Sequence, residues 1–330
     1  MCRIILYRFV SSLLSQYRTE LMGVATLLIV FFHLTFRIGH NVLWYVSTHA
    51  MIGVEMFFFL SGLGLCFSIS HDYNVWHFYL KRLVRILPTY GIVIFATLLI
   101  SGNFSWGVFL QEWSCVGYWS GGHYYDWYIP NQMLLYLLFP FFYFIINRWR
   151  TVSLILLSIS CVIICFITKD INFMAVCRYP VFVMGIFWGI AMLKDEILQQ
   201  WIRLFFFLSL FGLMLSIGVH FFYTNQELID NGWLFKPQMF MVVGFCYMLV
   251  WLFLRYQRLG VLKLFGSMSL EVYILHGRFI DLAEYTSAHL GANKYLLGGA
   301  LLLVSFFVAY GLHIVMSRLS SKLLASISIH

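Results

Sequence analysis

A histidine lies near the far end of one apolar stretch, and a carboxylate lies near the start of the next. His33 is close to the end of the sequence RTELMGVATLLIVFFHL, which begins at Arg18, and Glu55 lies in GVEMFFFLSGLGLCFS, which begins at Gly53. An imidazole can take a proton from a hydroxyl, and a nearby carboxylate can orient the ring and stabilise its charged form. These residues therefore predict general base catalysis, with His33 as the base and Glu55 as its partner. A structural histidine paired inside a helix bundle is the alternative for His33 alone.

A basic cluster lies further along the chain, in the sequence HFYLKRLVRILPTYG. It contains Lys81, Arg82 and Arg85, and the two arginines are three residues apart, on one face of a helix. Because a guanidinium binds phosphate with two parallel hydrogen bonds, the cluster predicts a site for a phosphorylated cytoplasmic ligand. An anchor for anionic lipid headgroups is the alternative.

The elements that position these residues are predicted to be transmembrane helices. Hydrophobic residues make up 62% of the 330 residues and charged residues 10%, against about 25% charged in an average soluble domain. Runs such as LLIVFF are apolar on every face, whereas the strands of a membrane barrel alternate between apolar and polar residues. We therefore predict an all-α bundle of about ten membrane-spanning helices, each of roughly 20 residues. The predicted spans are 21–36, 50–70, 86–101, 129–147, 152–168, 178–193, 203–222, 235–255, 261–279 and 295–316.

The positions of the basic residues predict which side each span begins on. With a cytoplasmic N-terminus, six of the 21 Lys and Arg residues fall outside and the others fall inside. This bias predicts that both termini are cytoplasmic, because cytoplasmic connections carry the excess of Lys and Arg. The six predicted outer residues are Arg37, Lys169, Arg178, Lys236, Arg278 and Lys294.

The same topology predicts a polar layer in the outer half of the membrane. His33 lies twelve residues beyond Leu21, about 18 Å from the inner boundary at 1.5 Å per residue. The other residues predicted near this level are Glu55, Asn131, Gln132, Glu271 and His276. Ionisable residues in a membrane predict a functional site, with pairing inside the bundle as the alternative.

The remaining segments are short, so the predicted chemistry belongs to the membrane part. We predict a cytoplasmic amphipathic segment at 1–20, a membrane-embedded domain at 21–316 and a cytoplasmic tail at 317–330. The outer connection 102–128 has no Lys or Arg and has four tryptophans, which predict either an interfacial belt or a stacking surface for a sugar. The cysteines lack the spacing of metal ligands, so no metal is predicted. The basic residues lie at span ends, so nucleic acid is not a predicted partner.

Six sequence stretches, in order, resemble motifs of the acyltransferase-3 family of polytopic membrane acyltransferases. They are RTELMGVATLLIVFFHL, GVEMFFFLSGLGLCFS, FYLKRLVRILPTY, DWYIPNQMLLYLLFP, CRYPVFVMGIFWG and FGSMSLEVYILHG. The resemblance covers nearly the whole chain. It implies a protein of the bacterial cytoplasmic membrane that transfers an acetyl or other short acyl group from cytoplasmic acyl-CoA to a hydroxyl of an extracytoplasmic saccharide.

The resemblance also implies roles for individual residues. His33 and Glu55 would be catalytic, and Lys81, Arg82 and Arg85 would bind acyl-CoA. The residues implied to bind the glycan or its lipid-linked precursor are Trp127, Asn131, Gln132, Arg178 and His276.

One position departs from the family pattern. Many members have an arginine eleven residues before the histidine, and this chain has Met22 there. Arg18 lies four residues earlier, on the same helix face, and is predicted to supply the missing guanidinium to acyl-CoA. The alternative is that this chain belongs to a branch that does without the arginine, or to one with reduced activity. Two alternatives to an acyltransferase stay open: a transporter or flippase for a glycan or small solute, and a catalytically silent homologue.

Overall fold

The computed structural model describes residues 12–38, 47–121, 126–167, 178–194, 199–223, 228, 232–256, 259–291 and 293–327. Within these ranges the regular structure is helical and contains no strand. Most of the predicted N-terminal segment, residues 1–11, lies outside the described residues. The all-α prediction is confirmed for the part of the chain that the structure describes.

We number the main helices in chain order. They are α1 (Arg18–Ile38), α2 (Ile52–His71), α3 (Val75–Ile100), α4 (Trp106–Trp113), α5 (Val116–Trp119), α6 (Tyr128–Arg148), α7 (Arg150–Ile167), α8 (Tyr179–Leu193), α9 (Gln199–Phe222), α10 (Gln238–Arg255), α11 (Gly260–Ser267), α12 (Ser269–Leu290) and α13 (Lys294–Ile327).

Six helical segments are long and apolar enough to cross a membrane. They are Ser47–His71, Val75–Ile100, Tyr128–Arg148, Ile202–Phe222, Gln238–Arg255 and Lys294–Ser326. The shorter helices Arg150–Ser160 and Tyr179–Leu193 are also apolar. The chain is thus a multi-pass membrane protein, while the count of about ten spans and the orientation stay predictions.

The chain forms two compact units. The first contains residues 1–71 and 138–267, and the second contains residues 72–137 and 268–330. The predicted span 261–279 is not one helix, because α11 ends at Ser267 and α12 begins at Ser269. The boundary between the units coincides with this break.

Helix α2 is the centre of the first unit and packs against α1, α8 and α10. Its closest neighbour is α8, because glycines lie where the two backbones meet. A Cβ atom at Gly62 would overlap the Phe182 carbonyl, and one at Gly185 would overlap the Phe59 carbonyl. Small residues allow such close approach between membrane helices, which gain stability from packing rather than from leaving water.

In the second unit, α13 packs against α3 and α12. Pro88 lies inside α3 and has no N–H to donate to the carbonyl of Val84. The Ser320 hydroxyl donates to that carbonyl over 3.2 Å. A residue of α13 therefore supplies the hydrogen bond that the proline removes.

The predicted outer connection folds back along α3 instead of ending at its tip. We call residues 104–121 the folded-back segment; it contains α4 and α5. The Phe95 ring contacts Phe109, with ring centroids 5.8 Å apart, and the Trp113 indole donates to the Leu87 carbonyl over 2.9 Å. Leu87 is at the middle of α3, so the segment reaches halfway along this helix.

Candidate functional site

His33 lies near the end of α1 and is half-buried. Its Nδ1 atom is 3.0 Å from the carbonyl oxygen of Ile29, one turn earlier. A carbonyl oxygen can only accept, so a hydrogen bond here requires the proton on Nδ1. The neutral ring then has Nε2 as its basic nitrogen, which is the state a general base needs.

Glu55 has a different charged neighbour from the one predicted. Its Oε1 atom lies 3.1 Å from Nε of Arg178, and both side chains are almost fully buried. The Arg178 guanidinium also lies over the Phe235 ring, 5.7 Å from its centroid. The structure thus brings together two predicted site residues, Glu55 and Arg178, while the pairing of Glu55 with His33 stays a prediction.

A histidine and a carboxylate are in contact in the second unit. Nδ1 of His313, on α13, lies 3.3 Å from Oε1 of Glu271, on α12. His276, one turn beyond Val272, is buried, and its Nδ1 lies 2.9 Å from the Val272 carbonyl. His313 was not among the predicted site residues, because it lies beyond the last of the six motifs, although it too is an ionisable ring in a long apolar helix.

The predicted phosphate-binding cations have three different environments. Lys81 Nζ donates to Asp72 Oδ2 over 3.1 Å, and this hydrogen bond is the main reason that the pKa of Asp72 is lowered. Arg85 is exposed. The Arg82 guanidinium lies over the Phe78 ring at 5.4 Å, and its Nε is buried with no hydrogen bond to a described residue.

Arg82 lines an apolar cavity of about 530 Å³ in the second unit, which we call the Arg82 cavity. Its aromatic walls come from Trp76, Tyr79, Trp119 and Tyr136. A guanidinium beside an apolar chamber can contact a phosphate or an amide while the walls contact an apolar chain.

Arg18 contacts the backbone of α2. Its Nε donates to the Leu60 carbonyl over 3.0 Å. The guanidinium also lies where a Cβ atom at Gly64 would be, 2.5 Å from its Cζ. Arg18 therefore joins α1 to α2, and its predicted role at acyl-CoA stays a prediction.

The predicted acceptor residues of α6 lie in the second unit. Asn131 and Gln132 are buried, and both polar atoms of the Gln132 side chain lack a hydrogen bond among the described residues. Trp127 is half-buried, with its ring centroid 6.3 Å from that of Tyr128. These side chains lie together at the start of one helix.

A bidentate ion pair joins two residues that were not among the predicted site residues. Arg278 donates from Nη1 to Oδ1 of Asp126 over 3.1 Å and from Nη2 to Oδ2 over 2.6 Å. Its Nε donates to the Thr97 hydroxyl over 2.9 Å. Asp126 and Arg278 carry opposite charges near the predicted outer ends of two spans, and this pattern could have indicated the pair.

This ion pair lines a second cavity, of about 560 Å³, which we call the polar cavity. It lies between α3, the folded-back segment, the start of α6, and α12, all in the second unit. Cys115 and Pro130 line both the polar cavity and the Arg82 cavity. The two chambers are therefore neighbours.

A comparison with known families identifies most of the chain. A family model described as an acyltransferase domain matches residues 21–317. This range includes His33, the Glu55–Arg178 pair and the lining of both cavities. No curated protein and no solved structure matches the chain. The described residues contain no group of three or more His, Cys, Asp or Glu side chains that could hold a metal ion.

Proposed function

Because the chain belongs to the acyltransferase-3 family, we propose that it transfers an acetyl or other short acyl group from cytoplasmic acyl-CoA to a saccharide hydroxyl outside the bacterial cytoplasmic membrane. The match of the family model to residues 21–317 is the observation that carries the proposal. The chain is a membrane protein of an acyltransferase family whatever its donor and acceptor are.

The donor is assigned to the Arg82 cavity. Arg82 lines the cavity, whose other walls are mostly apolar and aromatic, and its Nε is buried without a hydrogen bond to a described residue. A charged donor without a partner favours a phosphate or carbonyl oxygen. Arg85, exposed and one turn away, is assigned to the outer phosphates of acyl-CoA.

His33 is assigned as the general base. Its Nε2 accepts the proton of the acceptor hydroxyl while the hydroxyl oxygen forms a bond to the acyl carbon. The bond between that carbon and the CoA sulfur then breaks, and the sulfur leaves with the electron pair and becomes the CoA thiol after protonation. The contact of Nδ1 with the Ile29 carbonyl supports this role, because it favours the tautomer in which Nε2 is the basic nitrogen.

Replacing His33 with Ala tests the proposal. The surface glycan and peptidoglycan of cells with the wild-type protein are compared by mass spectrometry with those of cells with the variant, at equal membrane levels. We expect loss of one acyl mass, because removal of a general base typically lowers a rate by about 10²–10⁴-fold. Undiminished acylation would exclude His33 as the base.

A catalytically silent homologue is the second candidate, and Met22 is the observation that favours it. The family arginine would lie at this position, and Arg18, on the same face of α1, donates to the Leu60 carbonyl. Purified protein in lipid nanodiscs separates the two candidates. An acyltransferase releases CoA thiol from acetyl-CoA when cell-envelope saccharide is added, and a silent homologue releases none.

A further inference from the structure

The polar cavity contains a buried hydroxyl that no described residue satisfies. The Tyr90 side chain is only 3% exposed and lines the cavity, yet its hydroxyl makes no hydrogen bond with a described residue. Glu112, Gln111 and Asn103 also line the cavity; Glu112 is half-buried and the other two are exposed. Buried polar groups normally have partners, so the Tyr90 hydroxyl indicates a ligand that carries a polar group.

The volume and depth of the cavity also fit a small polar ligand. Its 560 Å³ lies within the range of about 300–1,000 Å³ that is typical of small-molecule sites. The folded-back segment that forms one wall reaches the middle of α3. Non-helical backbone at such a depth is tolerated where it is buried in protein or lines a water-filled cavity. Ser114 and Cys115, which separate α4 from α5, fit this condition, and Cys115 lines the cavity.

The charges on the walls limit which ligands the cavity accepts. Among the described lining residues, Glu112, Asp126 and Asp281 are acidic and Arg278 is the one basic residue. Both Nη atoms of Arg278 bind the Asp126 carboxylate, so its charge is already compensated. Glu112 makes no ion pair with a described residue, and its carboxylate repels an anion and favours a neutral or cationic ligand.

We propose that the polar cavity binds the acyl acceptor and that it selects saccharides with hydroxyl or amino groups and without carboxylate or phosphate. In this assignment, Glu112 accepts hydrogen bonds from sugar hydroxyls or an amine, and Tyr90 donates to a sugar oxygen. The inference rests on the proposed function, and the shared walls at Cys115 and Pro130 place the acceptor next to the donor chamber.

A binding experiment tests the selection without requiring catalysis. Purified protein in nanodiscs is titrated calorimetrically with three disaccharides: N-acetylglucosamine disaccharide, glucosamine disaccharide and a disaccharide containing glucuronate. We expect the neutral and amine-bearing sugars to bind at least about tenfold more tightly than the glucuronate sugar, a difference of about 1.4 kcal/mol. Equal affinity for the glucuronate sugar, or no binding of any probe at millimolar concentration, would overturn the proposal.

Two matched variants assign the effect to the cavity. Glu112→Gln removes one wall charge, whereas Glu284→Gln removes the same charge from an exposed position of α12 that does not line the cavity. We expect Glu112→Gln to weaken binding of glucosamine disaccharide about tenfold and to reduce discrimination against the glucuronate sugar, and Glu284→Gln to change neither. Identical behaviour of the two variants would exclude the polar cavity as the binding site.

The failure of this inference is distinguishable from the failure of the proposed function. If the protein binds the sugars as expected but releases no CoA thiol from acetyl-CoA in their presence, the transferase proposal fails and the binding site remains. If thiol release depends on added saccharide but the affinity is the same in Glu112→Gln and Glu284→Gln, the acceptor site lies elsewhere.

Discussion

At the scale of single residues, neighbouring side chains of one type have different physical roles. Lys81 is paired with Asp72, and Arg85 is exposed. Arg82 lines an apolar cavity and has a buried Nε without a hydrogen bond to a described residue. A phosphate or carbonyl oxygen gains most from Arg82, because that guanidinium has already lost much of its contact with water. Cations that look equivalent in the sequence are therefore expected to contribute unequally to donor binding.

Arg82→Gln tests this difference. We expect the KM for acetyl-CoA to rise about tenfold or more, because a hydrogen bond to a charged group contributes about 1.5–3 kcal/mol. The matched control is Arg318→Gln, which removes an exposed positive charge that is also predicted on the inner face. KM is measured from CoA thiol release at a fixed acceptor concentration. An equal effect of both variants would make Arg82 a general lipid anchor.

The Glu55–Arg178 pair makes a prediction about stability. Replacing Arg178 with Met leaves the Glu55 carboxylate buried without its counter-charge, which typically costs about 3–5 kcal/mol. The double variant Glu55→Gln with Arg178→Met removes both charges, so we expect it to recover part of that loss. Thermal unfolding in detergent, followed by tryptophan fluorescence, gives the order of stability. A double variant less stable than Arg178→Met would contradict a compensating pair.

At the scale of helices, glycine allows the closest crossing in the first unit, between α2 and α8. The backbones meet at Gly62 and Gly185, where an added Cβ would overlap a carbonyl oxygen of the partner helix. A backbone carbonyl cannot move aside as a flexible side chain can, so the helices must separate when a methyl group is added. Because α2 also carries Glu55 and α8 follows Arg178, this separation would lengthen the ion pair.

Gly185→Ala and Gly218→Ala form a matched pair that tests this crossing. Alanine at Gly185 is expected to destabilise the protein by about 1–3 kcal/mol through overpacking. Gly218 lies on α9 with nothing near the position of its Cβ, so alanine there should be neutral or stabilising by up to about 1 kcal/mol. Urea unfolding in detergent measures both differences. Equal effects would show that helix propensity, not the crossing, determines the result.

At the scale of the whole chain, apolar length was predictable and helix rotation was not. The membrane class follows from composition, because each span must be apolar over its own length. The partner of Arg178 depends on which face each helix turns inward, and Asp126 and Arg278 are 152 residues apart in the sequence. The folded-back segment was also missed, because its aromatic residues fit both a membrane interface and a protein wall. His33 was found because its ring stands out in an apolar helix.

The orientation of the chain in the membrane decides which cavity faces which substrate. Positive charge predicts that the turn between α2 and α3 is cytoplasmic, and that the turns after α3 and before α13 are outside. Single cysteines can be placed in these turns, in a background without the seven native cysteines, by the substitutions Tyr73→Cys, Ser101→Cys and Asn293→Cys; all three positions are exposed. We expect a membrane-impermeant maleimide to label Ser101→Cys and Asn293→Cys on intact spheroplasts, and Tyr73→Cys only after permeabilisation. The reverse pattern would place Arg82 on the outer side, where acyl-CoA is absent, and would remove the donor assignment.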